Sequence, residues 1–266
     1  MNIVCIGAHP DDCEAFAGGT SVKWARAGHR VTLVSMTNGD IGHQMEGGGA
    51  LAQRRANEAA EAARIAGCRS LVLDTHDGEL EVTLAQRKTV ARLLRNLEAD
   101  IVLTHRPWDY HPDHRYTALL VQDAAFMVTV PYFCPDTAPL ARNPLFVFLM
   151  DHFKRPYPFQ AEIAVAVDDV MDIKWEMLHV MESQVYEWLP WLEGLPGAPS
   201  DPAERRAWLK QHWSPWLEAF TELGRGALAK RYGQPHADKV AHAELFEICE
   251  YGRQPDEGEI EELFPL

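Results

Sequence analysis

Two short stretches concentrate the residue types that could do chemistry. One is AHPDDCE at residues 8–14, and the other is HRPWDYHPDH at residues 105–114. Each follows directly on a short apolar run, 3–7 and 101–104. Imidazoles and carboxylates gathered this densely favour a divalent cation, and two His with one Asp would leave positions open to water and substrate, as catalytic metals require. A dinucleotide-binding chain would carry GxGxxG after its first strand. Here Asp11, Asp12 and Glu14 stand in that place, and they would repel a pyrophosphate.

The elements that must position these stretches can be read from the pattern. Strands are expected at 3–7, 31–36, 71–73, 101–104, 146–150 and 163–167, all nearly continuous aliphatic runs. Helices are expected around 20–27, at 51–66 closing on Gly67, at 83–98 with Thr83 as N-cap, at 115–127 and at 169–183. Strands alternating with helices predict a Rossmann-like, doubly wound α/β fold with a mostly parallel sheet, whose ligands bind beyond the carboxyl ends of the strands. Both chemical stretches lie at such ends.

The chain divides by character near residue 185. Residues 1–185 read as the catalytic domain, and 186–266 as a Trp-rich, largely helical C-terminal extension packed on it. Six of the eight tryptophans lie between Trp175 and Trp216; packing or subunit contact is their ordinary use, and stacking on a sugar is the functional alternative. A formal net charge of -14 over 266 residues disfavours nucleic acid as a partner. No window approaches the roughly 18 apolar residues of a membrane span, and the N-terminus lacks the basic region of a signal peptide. Five scattered cysteines without CxxC pairs suit a reducing, cytoplasmic location. Exposed aromatic segments lean toward a homo-oligomer.

The pair AHPDDCE and HPDH resembles the AHPDDxE and HxxH motifs of the PIG-L (LmbE-like) family of zinc-dependent de-N-acetylases. The likeness extends through TNGD at 37–40 and the Arg55-x-x-Glu58 spacing, to about residue 184. It implies that His9, Asp12 and His114 hold Zn2+, with Fe2+ or another divalent ion as alternatives. It implies further that Asp11 is the general base and that His111 stabilises the oxyanion as a charged imidazole. Asp113 would tune His111, and Arg55 would contact substrate. The implied reaction is removal of an acetyl group from an N-acetylglucosamine-type amino sugar.

Plainer roles exist for several of these residues. Asp113 suits capping of the following helix, and Arg55 suits a surface pair with Glu58. His111 could be a turn residue before Pro112. Glu14 and Asp40 read as loop-shaping groups, and Cys13 as a packed thiol. His105 and His152 lie near strand ends without an assigned role. The same site could cleave a larger acyl amide of a glucosamine conjugate. Two His and one Asp also describe a non-haem iron enzyme, although such an enzyme has no need of Asp11.

Overall fold

A computed structural model describes residues Met1–Leu266. The chain runs β1 (Asn2–Gly7), α1 (Asp12–Arg26), β2 (Arg30–Thr37), α2 (Gly48–Ala66), β3 (Arg69–Thr75), α3 (Leu84–Asn96), β4 (Ile101–Thr104) and α4 (Pro112–Met127). It continues through β5 (Leu145–Leu149), β6 (Ile163–Ala166), α5 (Met171–His179), a π-helical turn (Ser183–Trp188), α6 (Leu189–Leu192), α7 (Pro202–Leu223), α8 (Arg225–Tyr232), α9 (Gln234–Ala237), β7 (Ala243–Ile248) and α10 (Glu257–Leu263). The sheet order is β3-β2-β1-β4-β5-β7-β6. Pairing is parallel from β3 to β5, and β7 is antiparallel to both its neighbours.

Alternation along each strand divides the core. Ile3, Cys5, Ile101, Leu103, Val147 and Leu149 face one layer; Val4, Ile6, Val102, Phe146 and Phe148 face the other. The first layer receives α1, α2 and α5, and the second receives α3 and α4. With both faces covered, the strands can be apolar throughout, as a doubly wound sheet requires. The strand order reverses at β1, with β2 on one side of it and β4, reached from β3, on the other, so a crevice opens at the carboxyl ends of β1 and β4.

The structure departs from the sequence reading in three places. Helix α4 begins at Pro112 rather than near 115, since Pro at the first position suits a helix start. The helix expected over 169–183 ends at His179, and a π-turn follows. Strand β7 was not expected. It comes from the C-terminal segment, yet lies inside the sheet, and the charges of Glu244 and Glu247 hide its apolar alternation. Most tryptophans pack: Trp175 and Trp208 are core residues, and Trp213 and Trp216 lie against that core.

Glu244 is fully buried and meets Lys174 of α5 at 2.6 Å. Its carboxylate also accepts from the amides of Gly19 and Thr20 in the middle of α1, and Lys174 donates to the Ala15 carbonyl. The pair thus replaces part of the α1 ladder and ties α1, α5 and β7 together. Removing one member strands the other charge. Lys174→Met is expected to destabilise the fold by about 3 kcal/mol, with part recovered in Lys174→Met/Glu244→Gln. Urea unfolding checks this, and equal losses in single and double variants would refute it.

Candidate functional site

The turn from β1 into α1 is built on Asp12. Its Oδ2 accepts from the amides of Ala8 and His9, at 2.9 and 2.8 Å. Gly7 is required because a Cβ there would sit 2.6 Å from the Asp12 Cβ. With Oδ2 committed, Oδ1 is left facing the crevice. At the end of β4 the chain turns through 105–111 and enters α4, whose first turn presents Asp113 and His114.

These two strand ends bring three donors together. His9 Nδ1 lies 3.2 Å from His114 Nε2 and 3.6 Å from Asp12 Oδ2, and His114 Nε2 lies 3.5 Å from Asp12 Oδ1. Donors bound tetrahedrally at about 2.0–2.2 Å stand roughly 3.3–3.6 Å apart, the spacing each imidazole shows to the other or to one oxygen of Asp12, although the two rings face different oxygens of that carboxylate. The compact metal-ligand groupings within the cluster are His9–His111–His114, Asp12–His105–His114 and His9–Asp77–Asp113; each contains His9 or His114, and none contains the expected three together.

Carboxylates hold both imidazoles with the donor nitrogen turned inward. His114 Nδ1 is 3.0 Å from Asp109 Oδ2. His9 Nε2 is 3.1 Å from Asp77 Oδ1 and 3.5 Å from Asp113 Oδ2. Such partners fix the ring and raise its basicity. Burial opposes charge on His9, but Asp113, Asp12 and Asp77 outweigh it and hold its pKa well above the usual imidazole value. Burial likewise opposes charge on His114, and Asp12 and Asp109 outweigh it in raising its pKa. Burial would raise Asp12, yet His114 and His105 keep it well below the usual carboxylate range.

Asp109 and Asp77 escaped the sequence reading. Asp109 was visible inside the second stretch, five residues before His114. Asp77 follows β3 and had no motif around it. His105 also belongs to the site: it stacks on His114 at 4.1 Å, and its Nε2 lies 3.1 Å from Asp12 Oδ2. His152 does not; it is exposed, and its ring contact is with Phe153. Asp109→Asn is expected to weaken divalent-ion affinity by about 10–100-fold. Chelator competition measures this, and unchanged affinity would remove Asp109 from the site.

Asp11 lies beside the donors without joining them. Its Oδ2 is 3.3 Å from Arg55 Nη2, and burial raises its pKa despite Arg55. Arg55 is 2% exposed, donates to the Gly39 carbonyl at 3.0 Å and lies 3.7 Å from Asp77. Gly39, at φ +69, leaves the space that the guanidinium fills, since a Cβ there would lie 2.5 Å from Nη1. Arg55 therefore holds Asp11 and Asp77 from below. The expected surface pair with Glu58 does not form. Glu58 pairs with Arg54 and accepts from Ser183.

His111, not Asp113, caps α4: its Nδ1 accepts from the Asp113 amide at 3.2 Å. That bond assigns the remaining proton to Nε2. Burial, His9 and His114 lower the pKa of His111, which works against the expected charged imidazole. Asp113 is fully buried and accepts from the Gly78 amide at 2.6 Å. It faces His9 and also pulls His111 upward by its charge. Asp40 shapes the neighbouring loop, accepting from the Asp77 amide at 3.1 Å. Burial pushes Glu14 up to about 8. Cys13 is a buried thiol, and all five cysteines are free. At the rim, Tyr110 is 76% exposed, with its ring 5.9 Å from His111 and 6.3 Å from Phe153. No helix is long and apolar enough to cross a membrane.

The family described as GlcNAc-PI de-N-acetylase (PIG-L) matches residues 4–125. The chain is 31% identical to the diacetylchitobiose deacetylase of Thermococcus kodakarensis over 198 residues, covering 71% of this chain and 73% of that relative. It is similar to the N,N'-diacetylchitobiose deacetylase structure from Pyrococcus horikoshii, at a TM-score of 0.71 and 26% identity, with 94% of this chain and 84% of that one covered. The 4-carboxy-2-hydroxymuconate hydratase of Pseudomonas putida KT2440 superposes with a TM-score of 0.72 at 18% identity, covering 97% and 99%. That last likeness concerns the fold alone, which different chemistries can share.

Proposed function

This chain belongs to the PIG-L (GlcNAc-PI de-N-acetylase) family, and from that premise we propose that it is a divalent-metal-dependent deacetylase of N-acetylglucosamine-type amino sugars. One observation carries the reading. His9 and His114 bring ring nitrogens to 3.2 Å of one another beside the Asp12 carboxylate, while a fourth group, Asp11, stays beside them uncommitted to the cluster. A binding protein has no need of that spare carboxylate, whereas an amide hydrolase does.

His9, Asp12 and His114 would hold the ion. Nitrogen and oxygen donors suit zinc, and Fe(II) accepts the same set. When bound, the ion would make the amide carbonyl a better electrophile and water a better nucleophile at neutral pH. Asp11 takes the proton from the attacking water and later delivers it to the leaving nitrogen. Its raised pKa suits both duties, because it need not be a strong acid to release what it has accepted. Arg55 keeps that carboxylate aimed. His111 donates its Nε2–H to the oxygen on which negative charge develops, and a donor so placed contributes about 3–4 kcal/mol. Tyr110 and Phe153 form an apolar wall at the rim against which a sugar ring can lie.

The deacetylase reading is supported by the named relatives, of which two act on diacetylchitobiose. The test is release of free amine and acetate from N-acetylglucosamine and N,N'-diacetylchitobiose by metal-loaded protein, stopped by a chelator. Release of a bulkier acyl group but not of acetate would replace the deacetylase with an amidase. No release from a broad panel of N-acetyl sugars would refute the substrate class.

A further inference from the structure

Asp12 and Phe16 stand four residues apart on α1 and so share one face of that helix. Trp216 and Phe220 are likewise four apart on α7. Their rings meet across the two helices. Phe16 lies 5.4 Å from Trp216 and 6.4 Å from Phe220, and Trp216 lies 5.0 Å from Phe220, each pair steeply inclined. The same Phe16 ring stands perpendicular to His105 at 6.2 Å. These are the separations and angles of attractive aromatic pairs. A file of rings therefore runs from α7 through Phe16 to His105, and on to His114.

Both ends of the file are anchored. On α7, the buried Thr221 hydroxyl accepts from the Ala243 amide of β7 at 2.9 Å. Gly224, which ends α7, lies so close to β7 that a Cβ there would collide with the Leu245 side chain. At the other end, His105 Nε2 lies 3.1 Å from Asp12 Oδ2, and its ring stacks on His114 at 4.1 Å with the planes 5° apart. Asp12 anchors one ring nitrogen of His105. The tilt of the ring about that anchor is then set by the two rings against it, His114 and Phe16. Helix α7 lies outside residues 4–125, the part matched to the family.

We propose that Phe16 and Trp216 are positioning residues of the candidate metal centre. Helix α7 backs Phe16, Phe16 sets the tilt of His105, and His105 in turn sets His114 and Asp12. Neither residue supplies a donor atom, so each acts only through His105. Metal affinity depends on such outer partners because they fix the direction of the donors. The inference rests on the metal-binding reading of His9, Asp12 and His114, and the experiment has a separate arm for each.

Zn2+ affinity is measured by chelator competition for the wild type, Phe16→Leu, Trp216→Leu and the double variant. The imidazole resonances of His105 and His114 are recorded by NMR in the same proteins without metal. Phe16 and Trp216 are only partly buried, and Leu keeps most of the apolar volume, so the fold is spared. Leu94→Ala, in the opposite core layer, is the control for lost stability alone. The expected result is Zn2+ binding about tenfold weaker in Phe16→Leu, a smaller loss in Trp216→Leu and no further loss in the double variant, because the two act in series. Both sets of imidazole resonances should move in these variants, whereas Leu94→Ala should lower the Tm and change neither readout. Unchanged affinity with unmoved resonances overturns the positioning role, and so does an equal loss of affinity in Leu94→Ala. Additive losses in the double variant also overturn it, since Trp216 would then act outside the file. A wild type that binds no Zn2+, with resonances that still move in Phe16→Leu and Trp216→Leu, upholds the positioning of the rings and refutes the metal reading.

Discussion

Asp11→Asn is expected to lower kcat for acetate release by about 10³-fold and to leave bound metal at wild-type stoichiometry, within the range for loss of a positioned general base. The two halves of this result come from the same geometry. Asp11 Oδ2 is directed at Arg55, 3.3 Å away, while the donor nitrogens belong to His9 and His114. Asn keeps the shape and a hydrogen-bonding oxygen for Arg55 but cannot accept a proton from water. Steady-state kinetics and metal analysis on the same preparation decide the point. Activity within threefold of wild type would exclude Asp11 as the base. Arg55→Met is a useful companion, since it frees the carboxylate without removing it. Its loss should be smaller than that of Asp11→Asn and should fall mainly on kcat.

His114→Ala is expected to abolish both tight metal binding and activity, and EDTA treatment of the wild type should reproduce the loss of activity reversibly. His114 is tied to more of the site than any single contact suggests. It offers Nε2 to the cluster, pairs through Nδ1 with Asp109 and stacks on His105. Stability provides a readout independent of turnover. An ion that binds only the folded state at 100 times its Kd stabilises by about 2.7 kcal/mol. Added Zn2+ or Fe2+ should therefore raise the Tm of the wild-type protein and leave His114→Ala unmoved. A variant that keeps the metal-dependent Tm rise would show that another grouping in the cluster holds the ion.

The two interventions also probe different links. Asp11→Asn separates chemistry from metal binding, whereas His114→Ala removes both. Asp109→Asn lies between them, weakening the metal through the orientation of one ring. A graded order among the three is what the arrangement of contacts predicts.

Much of this was legible in the chain. The parallel strands announce themselves as short aliphatic runs, and in β1, β4 and β5, buried on both faces, no polar side confuses the pattern. Gly67 and Thr83 act at helix ends as their types suggest: Gly67 takes φ 72, and the Thr83 side chain accepts from Gln86. Strand β7 was hidden for the converse reason. Glu244 and Glu247 read as solvent-facing residues, and only long-range partners make their burial tolerable: Lys174 for the first, Tyr157 and the Gln160 amide for the second.

The same division runs through the site. AHPDDCE and HPDH, each at the end of a strand, are local features, so His9, Asp11, Asp12 and His114 could be singled out from spacing and family likeness. The orienting contacts are not local. Asp77 reaches His9 across 68 positions of chain, Asp113 reaches Gly78 across 35, and Arg55 reaches Asp11 across 44. No periodicity encodes such meetings; they follow from the order in which β1, β3 and β4 lie in the sheet. So the sequence determined which imidazoles and carboxylates stand at the two strand ends. Tertiary structure decided that Arg55 lies against Asp11, that His111 Nδ1 caps α4, and that Asp77, Asp109 and Asp113 lie against His9 and His114, because those contacts depend on which distant side chains share one low-dielectric crevice.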